Sequence, residues 1–147
     1  MCLCDTISTL VSGKAKRKGS AKSVPCLRSD AASAGVVESI KSPMSNFREN
    51  VESTIVLLNC LKQYKNLRII VASSGAVLGD AKPPFSEKTN VSPISPYGAG
   101  KAAVEQYCKA FSFTYGLNII CCRFSNVFVY GCDSHLSCFT FQVLQKD

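Results

Sequence analysis

Three polar residues in a fixed order along the chain, Ser74, Tyr97 and Lys101, could together carry out proton-coupled hydride chemistry. Tyr97 and Lys101 are four residues apart, so on a helix both side chains lie on one face. A free tyrosine has a pKa of about 10 and is a poor base at neutral pH, but a nearby ammonium favours the phenolate. Tyr97 could then take a proton from an alcohol or sugar hydroxyl while a hydride leaves the carbon. Ser74 could bind the reacting oxygen.

Alternating helix and strand patterns predict how these residues are positioned. An apolar stripe predicts a helix over residues 44–64, and a second helix is predicted over 97–115, ending at Gly116. Short apolar runs near 67–73 and 117–122 are typical of buried parallel strands. This alternation predicts an α/β fold with right-handed crossovers. Open α/β sheets bind ligands at the carboxyl ends of their strands, so the three residues are expected to converge there. A further helix is predicted over residues 137–147.

Composition indicates one domain in a reducing compartment. The chain has 147 residues, 46% of them hydrophobic, with no apolar run of the roughly 18 residues that spans a bilayer. It begins without a secretory signal pattern, so its nine cysteines are expected to be reduced thiols in the cytoplasm. Cys132, His135 and Cys138 supply three zinc-ligand types without a clear fourth, and no metal site is predicted.

Basic residues concentrate in the first 30 positions, which contain six lysines and arginines and two aspartates. The whole chain carries a net charge of +7. The segment lacks any sustained apolar period, so residues 1–30 are predicted to be a disordered, solvated tail. Contact with nucleic acid stays open as an alternative. It is disfavoured because no aromatic residue interleaves with the lysines.

Five motifs, in order, resemble those of the extended short-chain dehydrogenases, specifically the NAD-dependent nucleotide-sugar epimerases and dehydratases. The matching segments are Ala31 to Ser39, Asn50-Val51-Glu52-Ser53-Thr54, Ser73 to Gly79, Tyr97-Gly98-Ala99-Gly100-Lys101 and Arg123-Phe124-Ser125-Asn126-Val127. Departures from the family's motifs include Ser53 for glycine, Leu78 for tyrosine and Gly100 for serine.

This resemblance implies a partial Rossmann-like, doubly wound parallel sheet over residues 31–147 that lacks the first βαβ unit. It implies NAD as cofactor, with NADP left open, and a nucleotide-sugar substrate. Ser74, Tyr97 and Lys101 are the implied catalytic residues, and Ser74 and Asn126 the implied substrate contacts. The implied cofactor contacts are Ala31, Ala32, Asn50, Ser73, Tyr97, Lys101 and Ser125.

The residues after Ser74 narrow the implied reaction. Family dehydratases and decarboxylases carry acidic residues there, whereas this chain has Gly75 and Ala76. The resemblance therefore implies 4-epimerase or simple reductase chemistry on a UDP-hexose. It also implies a homo-oligomer formed through helices 44–64 and 97–115. Without the first βαβ unit, one sheet face and one strand edge are expected to be uncovered, which makes aggregation the alternative outcome.

The family's glycine-rich phosphate turn has no counterpart before Ala31, where about 30 basic and small residues stand instead. Backbone N–H groups at such a turn hold a diphosphate, so weak NAD binding is expected. The alternative interpretation is a truncated, catalytically inactive paralogue that acts at most as an interaction module.

Overall fold

The computed structural model describes residues 26–29, 35–124 and 141–144. Strands are β1 (Cys26–Ser29), β2 (Arg68–Ser74), β3 (Asn118–Phe124) and β4 (Phe141–Leu144). Helices are α1 (Val36–Lys41), α2 (Pro43–Phe47), α3 (Ser53–Leu61) and α4 (Pro96–Tyr115). A π-helical turn, Arg48–Glu52, joins α2 to α3, and a 3₁₀ turn, Gly75–Leu78, follows β2. None of the helices in these ranges is both long enough and apolar enough to cross a bilayer.

The four strands form one sheet in the order β1-β2-β3-β4. β2 pairs in parallel with β3, from Arg68 opposite Asn118 to Ser74 opposite Phe124, and β1 pairs in parallel with β2. The predicted parallel strands and the two helices that precede them are therefore confirmed, with strand ends shifted by one or two residues. The helix predicted over 44–64 begins at Pro43 and contains the π turn, and α1 was not predicted.

Two predictions at the ends of the domain are wrong. Residues 141–144 form a strand antiparallel to β3 and not a helix, because pairing with the β3 edge outweighs a weak local helical pattern. β1 lies inside the predicted tail of residues 1–30 and pairs with β2 from Cys26 opposite Arg68 to Ser29 opposite Val71, so the domain starts before residue 31. A four-residue strand that contains Arg28 is too short to show a period. Residues 1–25 lie outside the described ranges, so the predicted disorder there stays a prediction.

One side of the sheet carries the core. In β2, the buried residues Ile69, Val71 and Ser73 alternate with less buried ones, as a strand covered closely on one side requires. The π turn, α3 and α4 pack on this side with their apolar stripes. The core residues are Val51, Leu58, Leu61, Leu67, Ile69, Val71, Val104, Cys108, Leu117, Ile119 and Cys121.

Both ends of α4 are fixed by local chemistry. The Ser95 hydroxyl caps the start by accepting a hydrogen bond from the Gly98 N–H at 3.0 Å, and Pro96 occupies the first helical position. Gly116 ends the helix with φ +70°, and its N–H donates to the Ser112 carbonyl at 3.0 Å. The predicted cap at Gly116 is thus confirmed, and these two ends set which residues of α4 face the sheet.

Candidate active site

Ser74 is the last residue of β2. Its side-chain oxygen accepts a hydrogen bond from the Ala76 N–H at 3.2 Å and so caps the 3₁₀ turn that follows the strand. A hydroxyl has one O–H donor and a second lone pair in addition to the one used here. The local turn therefore fixes the hydroxyl at the carboxyl end of β2 and leaves its proton for another acceptor.

Tyr97 and Lys101 lie in the first two turns of α4, and their side chains are only 8% and 4% exposed. The Lys101 Nζ atom is 5.9 Å from the centroid of the Tyr97 ring. It also donates to the Ala72 carbonyl at 2.9 Å, which brings the ammonium to the end of β2, two residues before Ser74. Burial lowers the pKa of Lys101, and the nearby Cys108 partly opposes that effect.

The first turn of α4 is pressed against the 3₁₀ turn that Ser74 caps. A Cβ atom on Gly98 would lie 2.5 Å from the Ala76 carbonyl oxygen, so the close approach needs glycine at this position. The Tyr97 N–H donates to the Ser39 hydroxyl at 3.1 Å, and that hydroxyl donates to the Val36 carbonyl at 2.7 Å. Ser39 was not predicted to have this role, because a contact 58 residues away leaves no local signal.

A buried ionic cluster lies beside these residues. Glu105, one helical turn after Lys101, accepts from the Arg123 Nε and Nη2 atoms, both at 2.8 Å, and from the Ser73 hydroxyl at 2.6 Å. These bonds to Glu105 raise the pKa of Arg123. Ser73 and Arg123 are opposite each other in the β2–β3 ladder. The Ser73 hydroxyl proton is thus used within the protein, so the implied cofactor contact of Ser73 would use its backbone or a lone pair of the hydroxyl oxygen.

Comparison with known proteins identifies the family of this chain. The sequence pattern of the NAD-dependent epimerase/dehydratase family matches residues 27–145. The chain belongs to this family. The match begins inside β1, in agreement with a domain that starts before residue 31.

Relatives in the epimerase/dehydratase family include a protein named "Putative UDP-glucose 4-epimerase" from Methanocaldococcus jannaschii, 35% identical over 109 residues. The match covers 73% of this chain and 36% of that protein. A UDP-glucose 4-epimerase from Lacticaseibacillus casei is 34% identical over 93 residues, covering 63% of this chain and 28% of that protein. The chain therefore spans about a third of the length of the relatives that it matches.

Solved structures of epimerases have the same fold. A UDP-N-acetylglucosamine 4-epimerase from Methanobrevibacter ruminantium, in complex with UDP-N-acetylmuramic acid, superposes with a TM-score of 0.68 and 35% identity. The match covers 71% of this chain and 34% of that one. A UDP-glucose 4-epimerase from Brucella ovis in complex with NAD gives a TM-score of 0.66 and 33% identity, covering 70% of this chain and 32% of that one. These matches confirm the partial Rossmann-like fold.

Asn50, an implied cofactor contact of the epimerase motif, lies in the π turn and is 1% exposed. Its Nδ2 atom donates to the Asn46 carbonyl at 3.0 Å, and its own carbonyl accepts from the Thr54 hydroxyl at 2.6 Å. Single π turns within α-helices occur frequently at functional sites. The cofactor role of Asn50 stays a prediction.

Four implied site residues, Ala31, Ala32, Ser125 and Asn126, lie outside the described residues, as do Cys132, His135 and Cys138. The described part of the site thus consists of Ser74 at the end of β2 and the pair on α4. Asn50 and the Glu105 cluster lie in the helices and strands that support it.

Proposed function

We propose that this chain carries the proton-transfer and cofactor-ribose part of an NAD-dependent nucleotide-sugar 4-epimerase. The observation that carries the proposal is the Tyr97–Lys101 pair, buried on one face of α4, with the ammonium hydrogen-bonded to Ala72 at the end of β2. Tyr97 acts as the base toward the sugar hydroxyl. Lys101 supplies the positive charge that favours negative charge on the phenolic oxygen, and Ser74 holds the reacting oxygen.

Burial makes the Lys101 charge effective. An ammonium in a low-dielectric setting interacts with a neighbouring oxygen far more strongly than one in water does. Among the described residues, the buried ionised side chains are Lys101, Glu105 and Arg123, two cations and one anion. The region therefore has an excess of positive charge, which stabilises negative charge that develops on the reacting oxygen during proton transfer.

The polar groups present also fit the ribose of NAD. An ammonium has three N–H donors, of which Lys101 uses one for Ala72, and hydroxyl pairs are suitable partners for the others. The cofactor would be held by Tyr97, Lys101, Asn50, Ser73, Ala31, Ala32 and Ser125, and the substrate by Asn126. When bound, NAD supplies the acceptor that takes up a hydride and returns it to the sugar carbon. NADP remains an alternative to NAD.

The turn after Ser74 supports epimerisation over elimination. Gly75 and Ala76 form the 3₁₀ turn and carry no acid or base. Glu105, a buried carboxylate nearby, is engaged by Arg123 and Ser73. Proton abstraction by Tyr97 followed by reversal of the same step needs no second acid. We therefore favour a UDP-hexose epimerase over a dehydratase or decarboxylase.

Exposed apolar side chains support the expected homo-oligomer through helices 44–64 and 97–115. Met44 and Phe47 on α2 are 64% and 47% exposed, and Phe113 on α4 is 86% exposed. A cytoplasmic location is also proposed, because Cys108, Cys121 and Cys122 are thiols and not disulfides.

Ligand-observed NMR at millimolar NAD tests the proposed site, because saturation transfer detects weak binding. We expect transfer to the NAD ribose protons that is lost in Lys101→Met and kept in Lys109→Met, an exposed lysine on the same helix. Calorimetry should give an affinity weaker than micromolar, since the described residues include no glycine-rich phosphate turn. No saturation transfer, or equal transfer in both lysine variants, would contradict the proposed ribose site. Micromolar affinity would show an unrecognised phosphate site.

The alternative interpretation, a truncated, catalytically inactive paralogue that acts at most as an interaction module, stays open. Ribose binding without conversion of UDP-glucose to UDP-galactose would support this alternative. Binding with conversion supports the enzyme.

A further inference from the structure

Lys101 and Glu105 are both buried, at 4% exposure each, and are four residues apart on α4. Residues at this spacing are neighbours on one face of a helix, where a lysine and a glutamate ordinarily pair. Among the described residues, however, Lys101 makes no ion pair with a carboxylate, and its ammonium is hydrogen-bonded to the Ala72 carbonyl. The carboxylate nearest in sequence is thus kept from neutralising the lysine.

Arg123 and Ser73 account for this separation. The Arg123 guanidinium donates two parallel N–H···O hydrogen bonds of 2.8 Å to the Glu105 carboxylate, which is the strong bidentate geometry of an arginine–carboxylate pair. The Ser73 hydroxyl occupies a further lone pair of the Glu105 Oε1 atom at 2.6 Å. Three donors thus direct the carboxylate toward the ends of β2 and β3.

We propose that Arg123 and Ser73 are positioning residues of the site: by binding the Glu105 carboxylate they hold it away from Lys101 and keep the ammonium directed at Tyr97. This inference rests on the proposed function for its catalytic meaning. Ser73, which binds Glu105, lies on β2 directly before Ser74. Arg123, the other partner of Glu105, lies on β3, and Ser125 and Asn126 follow this strand in the sequence. One cluster therefore links the elements that bear the proposed site.

Other titratable groups around Lys101 do not replace this control. Tyr97 and Cys108 face Lys101 from α4, and Cys121 lies on β3, where a hydrogen bond with Cys108 and burial raise the pKa of Cys121 and keep the thiol neutral. The charged side chains of α1, α2 and the π turn are exposed, namely Glu38, Lys41, Arg48, Glu49 and Glu52. The charges that can alter Lys101 from within the described core are therefore Glu105 and Arg123.

NMR titration of the ¹³C-labelled Lys101 side chain, assigned with Lys101→Met, tests the proposal without a ligand or turnover. In Arg123→Gln, the released carboxylate should pair with Lys101 and raise its titration midpoint by about 1 pH unit. In Glu105→Gln, the anion is removed and the arginine remains, so the midpoint should fall. The double variant Glu105→Gln/Arg123→Gln removes no net charge and should titrate as the wild type does.

If the Glu105 cluster only stabilised the fold, the Lys101 titration midpoint would shift in other directions in these variants. Loosening of α4 would expose Lys101 and move its midpoint up toward 10.5 in both single variants. Two upward shifts, or no shift in either, would overturn the proposal. Because NAD binding is not read, this outcome is independent of whether the proposed function holds.

A milder pair of variants keeps the test decisive if a buried unpaired charge prevents folding. Ser73→Ala removes one of the bonds to Glu105 and should raise the Lys101 midpoint by a smaller amount. Ser112→Ala removes a buried hydroxyl that donates to the Leu117 carbonyl at 2.8 Å on the same helix, and should leave the midpoint unchanged. Equal shifts in these two variants, or no shift in Ser73→Ala, would overturn the proposal.

Discussion

Two glycines on α4, Gly98 and Gly100, should respond to alanine substitution with opposite signs. On Gly98, a Cβ atom would lie 2.5 Å from the Ala76 carbonyl oxygen and 3.1 Å from the Pro93 Cβ atom. On Gly100, the nearest atoms would be the Val51 Cγ2 atom at 3.6 Å and the Asn46 Oδ1 atom at 3.8 Å, which are ordinary contacts. The substitution is the same, so only the surroundings differ.

The expected size follows from these distances. Overpacking against a backbone carbonyl that cannot swing aside costs about 1–3 kcal/mol, and the better helix propensity of alanine recovers up to about 1 kcal/mol. Gly98→Ala should therefore lower the free energy of unfolding by about 1 kcal/mol. Gly100→Ala meets no clash and should raise it by about 0.5–1 kcal/mol.

Urea unfolding followed by circular dichroism measures the free energy of unfolding of both variants. In thermal unfolding, each kcal/mol should shift the Tm by roughly 2–4 °C for a chain of this length. Gly98→Ala should also weaken ribose contact by Tyr97, since the two residues are adjacent. Stabilisation by Gly98→Ala, or destabilisation of similar size by both variants, would refute the packing of α4 against the 3₁₀ turn.

Three further predictions concern α4. Ser95→Ala should cost about 1 kcal/mol of stability through loss of the helix cap, whereas Ser92→Ala, an exposed neighbour, should stay within about 0.5 kcal/mol of wild type in the same urea assay. Arg123→Met should lower the free energy of unfolding by about 3–5 kcal/mol, because Glu105 is left buried and unpaired. The double variant Glu105→Leu/Arg123→Met should lower it by less, and an equal loss in both variants would argue against a buried ion pair. Burial lowers the pKa of Lys101, so the native state releases this proton before the unfolded state does. The contribution of Lys101 to the free energy of unfolding should therefore rise with pH through the alkaline range, up to the ordinary lysine pKa of 10.5. The stability of the wild type relative to Lys101→Met should therefore rise over that range, and a fall with rising pH would contradict the assigned burial.

The parts of the fold with strong local signals were predictable from sequence. Two apolar runs predicted the parallel strands β2 and β3, and Gly116 predicted the end of α4. β1 and β4 were missed because four-residue strands gain their stability from pairing and not from their own pattern.

The candidate site divides in the same way. The spacing of Tyr97 and Lys101 predicted that both side chains lie on one helix face, and in the structure the Lys101 Nζ atom is 5.9 Å from the centroid of the Tyr97 ring. Glu105 and Arg123 gave no comparable signal, because a single charged residue in an apolar pattern does not reveal a partner 18 residues away. Likewise, the hydrogen bond of Ser39 to the Tyr97 backbone exists only once α1 is placed against α4.

Turnover measures the central claim most directly. Conversion of UDP-glucose to UDP-galactose at millimolar NAD should be followed by proton NMR for the full chain and for Tyr97→Phe, with Tyr107→Phe as an exposed control on the same helix. The proposed role of Tyr97 as base predicts detectable conversion that falls on the order of 100-fold or more in Tyr97→Phe and is unchanged in Tyr107→Phe. Conversion that survives in Tyr97→Phe, or none by the wild-type chain while NAD is bound, would contradict the account.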